Sequence, residues 1–210
     1  MSSSRPARRP FLVVLSSPSG AGKTSICRGA VARDPNLAYS VSATTRPKRT
    51  GETHGRSYWF YTERRFLGLA ARGAMLESAR VYDHWYGTPR GPVEAQFRRG
   101  RDVIADLDIQ GMRSCKKALP GTVGVFIMTP DRRELARRLR ARGTDAPDVV
   151  ARREAELEAE LAAIPDFDYL VINDRLDRAI EEVLAIVRAE RLRVARRSLP
   201  PAARRKKEPK

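Results

Sequence analysis

Residues Ser17-Pro18-Ser19-Gly20-Ala21-Gly22-Lys23-Thr24 follow directly on the apolar run Phe11-Leu12-Val13-Val14-Leu15. The order is strand, glycine-bearing turn, then Lys-Thr opening a helix, which is what a phosphate-binding loop requires. Backbone N–H groups of such a turn and of the helix N-terminus converge on one point, where the helix dipole favours negative charge. Lys23 is placed to reach β- and γ-phosphates, and Thr24 to offer its hydroxyl to Mg²⁺. One position departs from G-x-x-x-x-G-K-[ST]: residue 17 is Ser, which is small but less free in φ than Gly. A flexible Ser/Gly turn is the competing reading, and the strand before and the helix after the loop argue against it.

The rest of the chain alternates short β-rich runs with helical stretches, the pattern of an α/β fold. Strands are expected at 11–16, 39–43, 57–61, 74–82, 103–107, 122–127 and 169–173. Helices are expected at 22–33, from Thr62 to near Gly73, at 90–99, 131–142, 147–163 and 175–195. His84-Trp85-Tyr86-Gly87 reads as an aromatic turn. The strands at 11–16, 103–107, 123–127 and 169–173 are the apolar ones and read as a parallel core sheet covered on both faces. The segment 39–95 is more aromatic and more polar, and reads as a small insertion folding over a ligand.

Composition narrows the function classes. The 210 residues, 41% apolar, suffice for one domain with insertions. No run approaches the roughly 18 apolar residues of a membrane span. Residues 1–10 hold no apolar segment of signal-peptide type, and the two cysteines, Cys27 and Cys115, make no disulfide framework. A cytoplasmic protein is the expectation. The net charge of +16 is uneven: residues 1–10 contribute +3, residues 188–210 contribute +8, and +5 remains for the rest. The last residues, with Arg204-Arg205-Lys206-Lys207 and no aromatics, read as an unstructured basic tail that binds polyanions weakly, not as a specific nucleic-acid module.

Chemistry gathers in four places. Asp106, at the end of an apolar strand, lies where a carboxylate can hold Mg²⁺ beside a phosphate loop, and Asp108 would share its face of an extended strand. Ser42 to Arg49 offers hydroxyls and three cations, suited to a second phosphate. Arg138 and Arg142, at i and i+4, flank the Leu135/Leu139 stripe, and Arg153 shares a stripe with Leu157 and Leu161. Arginines on an apolar face need an anionic partner and are candidates for a transferring phosphoryl group. Glu154, Glu156, Glu158 and Glu160 read as a solvated face. His54 and His84 read as loop residues without metal spacing.

The chain resembles the bacterial guanylate kinases from residue 11 to about 197. The phosphate loop, Val41-Ser42-Ala43-Thr44-Thr45-Arg46-Pro47-Lys48-Arg49 with Gly51-Glu52 and Gly55, Leu76-Glu77, Tyr86-Gly87-Thr88, Asp106-Leu107-Asp108 with Gln110-Gly111, Arg138 to Gly143, and Val171-Ile172-Asn173-Asp174 carry the likeness.

The resemblance implies a P-loop kinase of three layers, α/β/α. Its core would span 11–38, 96–129 and 166–197, its GMP-binding part 39–95 and its lid 130–165, between a basic extension at 1–10 and the tail at 198–210. It implies ATP contacts from Ser17, Pro18, Ser19, Gly20, Ala21, Gly22, Lys23, Thr24 and Asn173. GMP-phosphate contacts fall to Arg46, Arg49, Tyr58 and Tyr86, and guanine contacts to Ser42, Glu77 and Thr88 with Asp108 nearby. Lys23, Arg46, Arg138, Arg142 and Arg153 would carry catalysis, and Thr24 and Asp106 would hold Mg²⁺, directly or through water. Three other classes stay open: a guanylate-kinase-like peptide-binding module, a nucleic-acid-binding protein, and a kinase for another phosphorylated acceptor such as a ribose phosphate.

Overall fold

The computed structural model describes residues 8–18, 21–81, 83–131 and 158–197. The expected helices at 131–142 and 147–163 lie almost wholly outside these, as do Ser19, Gly20, Arg138, Arg142, Arg153 and the tail 198–210. Residues 158–162 are helical.

The run Leu12–Ser16 forms β1 with every residue buried, because it is sandwiched in the plane of the sheet and between two helical layers. The core sheet has five parallel strands. With β2 (Leu37–Tyr39), β7 (Asp102–Asp106), β8 (Val123–Met128) and β9 (Tyr169–Ile172), their order is β2-β7-β1-β8-β9. Period-two alternation sends β1 side chains into separate cores. Val13 and Leu15 pack with Ile26, Cys27 and Ala30 of α1 (Lys23–Arg33) and with Val183 and Val187 of α5 (Leu176–Glu190). Leu12 and Val14 face Val93 of α3 (Arg90–Arg98) and Met112 and Cys115 of α4 (Ile109–Ala118). This is the expected three-layer α/β/α arrangement, and both cysteines are buried, free thiols inside it.

The register sets Leu15 beside Asp106 on one side and Ser16 beside Phe126 on the other. The loop after β1 and the carboxylate ending β7 therefore emerge together at the carboxyl edge, where ligands bind in open α/β sheets.

A second sheet, in the order β4-β3-β6-β5, is formed by β3 (Ala43–Thr44), β4 (Trp59–Phe60), β5 (Met75–Val81) and β6 (His84–Pro89). Its own small core joins Ala43, Met75 and Phe66 of α2 (Glu63–Ala71). Thr62 caps α2, its hydroxyl accepting from Arg65 N at 3.3 Å.

Four local expectations are corrected. The strand expected at 39–43 is split between β2 of the core and β3 of the second sheet. The expected aromatic turn at 84–87 is strand β6, paired antiparallel with β5. Helix α4 was not anticipated: β7 stops at Asp106, and Asp108, instead of continuing it, caps α4 by accepting from Gly111 N at 2.7 Å. The last helix ends at Glu190, not 195, and a 3₁₀ turn follows at Val194–Arg196. Part of the basic extension belongs to the folded body, since Arg8 bridges Arg197 and pairs with the fully buried Asp102.

Candidate active site

Gly22 begins α1 in the left-handed region, at φ 95°, and a Cβ there would lie 2.7 Å from Asn173 Nδ2. Both facts demand glycine. Asn173, buried at the end of β9, donates from Nδ2 to the Ala21 carbonyl at 2.8 Å, so it props the loop from behind. Ser17 is buried, and its hydroxyl donates to the Pro18 carbonyl at 2.8 Å. Its backbone carbonyl accepts from Lys23 Nζ, also at 2.8 Å. Burial lowers the Lys23 pKa, and Glu160, Asp106 and Asp108 oppose the shift by favouring the charged form. Glu160 is thus not the solvated residue expected: it is half-buried and its charge acts on the loop lysine.

Thr24 Oγ1 donates to Asp106 Oδ2 at 2.6 Å, and the Tyr39 hydroxyl donates to Asp106 Oδ1. The Tyr39 phenol is held neutral, its pKa raised by burial and then by the Asp106 charge. Hydroxyl and carboxylate together make an oxygen donor set of the kind a hard divalent cation prefers. No cluster of three or more His, Cys, Asp and Glu exists among the described residues, so water and phosphate oxygens would complete such a site.

From Thr24 and Asp106 a cavity of about 610 Å³ extends to the second sheet. Ser42, Tyr58, Glu77, Tyr86 and Asp108 line it. Burial pushes the Glu77 carboxyl up to about 7, against the hydrogen bond it accepts from Thr88 Oγ1 at 2.7 Å. Thr88 itself is fully buried, so its hydroxyl is directed at Glu77 and stands behind it. Tyr58 and Tyr86 meet edge to face at 6.2 Å.

Arg46 is not open to the cavity in the way its motif implied. It grips Glu52 through both guanidinium nitrogens, at 3.0 and 2.6 Å, and lies 5.5 Å from the Tyr58 ring centroid. Glu52 also accepts from Arg49 N at 2.8 Å, while the Arg49 side chain is exposed. His54 Nδ1 accepts from Phe60 N at 3.2 Å, a loop role as expected, whereas His84 opens β6.

Tyr39, Arg28 and Arg56 line the cavity without a role expected from the sequence, and so does Glu52, which carries the family likeness but had no role assigned. Arg28 had a readable signal: it follows Thr24 by four residues on α1, hence on the same helical face.

One cavity joins the end of the phosphate loop to the partly buried Glu77 carboxylate. The family model described as "Guanylate kinase" matches residues 8–190. The chain belongs to the guanylate kinase family. It is 48% identical over 199 residues to a guanylate kinase of Rhodospirillum rubrum, covering 93% of this chain and 91% of that one. To the guanylate kinase of Sphingopyxis alaskensis it is 50% identical over 187 residues, covering 89% and 85%. The crystal structure of guanylate kinase from Anaplasma phagocytophilum superposes with a TM-score of 0.72 at 27% identity, covering 91% of this chain and 92% of that one. Among the described residues no helix is long and apolar enough to cross a membrane.

Proposed function

We propose that this guanylate kinase transfers the γ-phosphoryl group of ATP to the phosphate of GMP, and of dGMP, reversibly, giving ADP and the nucleoside diphosphate in the cytoplasmic purine nucleotide economy. The observation that carries this reading is one continuous cavity running from Thr24 and Asp106 to Glu77, with Thr88 holding the carboxylate.

Guanine presents two donors, N1–H and N2–H₂, side by side. The ionised Glu77 carboxylate is suited to accept from both, and Ser42 to donate to O6. Adenine offers an acceptor at N1, which would face the carboxylate without a hydrogen. Tyr58, Tyr86, Arg46 and Arg49 would then receive the acceptor phosphate, and the segment 39–95 would act as the acceptor domain.

An oxygen of the acceptor phosphate, already anionic at neutral pH, attacks the γ-phosphorus in line, and the bond to the ADP oxygen breaks. No base has to remove a proton, so the protein supplies position and charge. Lys23 neutralises the transferring group, and Arg46, Arg138, Arg142 and Arg153 would add to that field. Closure of the segment 130–165 would exclude water and suppress ATP hydrolysis. Thr24 and Asp106 would hold Mg²⁺, which when bound screens the phosphate charges and templates their oxygens.

The test is a coupled ADP-release assay with Mg·ATP and GMP, AMP, CMP or UMP. Turnover with GMP alone is expected. Binding of GMP or ATP without turnover on any acceptor would favour the peptide-binding class instead.

A further inference from the structure

Among the described residues, four carboxylates and two unaccounted cations line the cavity between the core and the second sheet. Glu52 is committed to Arg46 and to the Arg49 amide. Asp106 is taken by Thr24 and Tyr39, Glu77 by Thr88, and Asp108 Oδ1 by the Gly111 amide. None of them pairs with Arg28 or Arg56. Both of these arginines line the same cavity, both are exposed, and neither side chain makes a hydrogen bond or ion pair with another described residue.

Their placement is specific. Arg28 stands one turn beyond Thr24 on α1, on the core wall. Arg56 lies in the turn before β4, two residues ahead of Tyr58, on the wall of the second sheet. A nucleoside monophosphate carries close to two negative charges into a space already holding Asp106 and Asp108, so uncompensated entry would be repulsive. Arg46 cannot supply the compensation alone while its guanidinium holds Glu52 bidentately. Guanidinium groups bind phosphate in the same forked geometry.

We propose that Arg28 and Arg56 are two further acceptor-phosphate-binding residues, one from each wall of the cavity, acting beside the arginines of the 42–49 segment. The proposal rests on GMP being the acceptor. It separates from that reading because it concerns the phosphate and not the base.

Calorimetric titration of the full chain with GMP and with guanosine, which lacks the phosphate, tests it in Arg28→Gln, Arg56→Gln and the corresponding Lys variants. Each Gln variant is expected to weaken GMP at least fivefold while guanosine affinity and the KM for ATP stay within twofold. The Lys variants, which keep the charge, are expected to recover most of the GMP affinity. GMP affinity within twofold of the unaltered chain in both Gln variants would overturn the proposal, as would equal weakening of GMP and guanosine. Failure of the unaltered chain to bind GMP would overturn the acceptor assignment, and this inference with it.

Discussion

The fully buried Thr88 hydroxyl donates to Glu77 Oε1 at 2.7 Å, across adjacent strands β5 and β6. That bond favours the ionised carboxyl, yet burial wins and leaves Glu77 at about 7. The group that would accept two hydrogen bonds from guanine under the proposed function is therefore partly protonated at neutral pH. Guanine selects the ionised form, so binding should release a proton. GMP affinity should rise from pH 6 to pH 8 and then level off. Calorimetry near pH 7 in buffers of different ionisation enthalpy should give a net proton release, which disappears in Glu77→Gln.

The sign for folding is opposite. A carboxyl raised in the folded state binds its proton more tightly there, so its contribution to stability is complete below about pH 4.5. It is lost as pH rises through 7. The full difference is on the order of 3 kcal/mol. In the unliganded chain, denaturant midpoints between pH 5 and 8 should fall more steeply than in Glu77→Gln. Parallel slopes would mean that Glu77 titrates normally.

Thr88→Val removes the donor and leaves the shape nearly intact. Without it the Glu77 pKa moves further up, so GMP affinity at pH 7 should fall about tenfold, in keeping with a hydrogen bond to a charged group. The deficit should shrink at pH 9, where the carboxyl is ionised in both proteins. Glu77→Ala removes the acceptor itself and should cost roughly 5- to 150-fold in GMP affinity, the range of a bidentate base contact. ATP affinity should be unchanged, and an equal loss on ATP would place Glu77 outside the acceptor pocket.

Lys23 is a desolvated cation whose pKa is lowered by burial and whose Nζ is held by the Ser17 carbonyl. Burial disfavours its charge in the folded state, and in the proposed function that charge meets the phosphates. Lys23→Met should reduce turnover by a factor on the order of 10² to 10³, the scale of losing one preorganised electrostatic contact. The melting temperature should stay the same or rise. A near-normal rate in a folded variant would remove Lys23 from the catalytic set.

How much of this was legible in the chain depended on whether the signal was local. The phosphate loop and the strands that became β1, β7, β8 and β9 stood out, because buried parallel strands are continuous apolar runs. Strand β6 reads as a turn in the sequence, since His84-Trp85-Tyr86 ends on Gly87. Gly87 is there because a Cβ would come within 2.8 Å of the Glu77 carbonyl and 3.0 Å of Phe66. Helix α4 was missed because Ile109–Ala118 holds a Gly and a Ser and few apolar residues, and its start is set by Asp108 capping Gly111. The partnerships of Tyr39 with Asp106 and of Arg46 with Glu52 have no periodic signature, for they depend on how two sheets meet. Charge pattern alone places Glu160 in solvent, because it cannot see the lysine that the fold brings near it.

Gly22 offers a test of the loop's backbone. At φ 95° a side chain is strained, and its Cβ would meet Asn173 Nδ2 at 2.7 Å. Gly22→Ala should therefore destabilise by about 1–3 kcal/mol and abolish ATP binding together, since Asn173 would lose its hold on Ala21. Asn173→Ala, which relieves the clash, should restore part of the stability in the double variant. Purely additive losses would mean that the two residues do not meet.

The far end of the sheet carries a purely structural ion network. Asp102 is fully buried at the start of β7, and its Oδ1 accepts from Arg8 Nη1 at 2.5 Å and from the Phe11 amide at 3.2 Å. Its Oδ2 accepts from Arg191 Nε at 2.7 Å, and Arg191 reaches on to Asp34 at 2.6 Å. The network ties the first residues of the folded body to the end of α5. Removing Asp102 leaves two partly buried arginines without their shared counter-charge, which costs up to about 3–5 kcal/mol. Asp102→Ala should lower stability by that amount, measured by denaturant unfolding. Because Asp102 lies at the amino edge of the strand whose carboxyl edge holds Asp106, the KM values for GMP and ATP of the folded fraction should not move. A change in either KM at unaltered stability would show instead that the two ends of β7 are coupled.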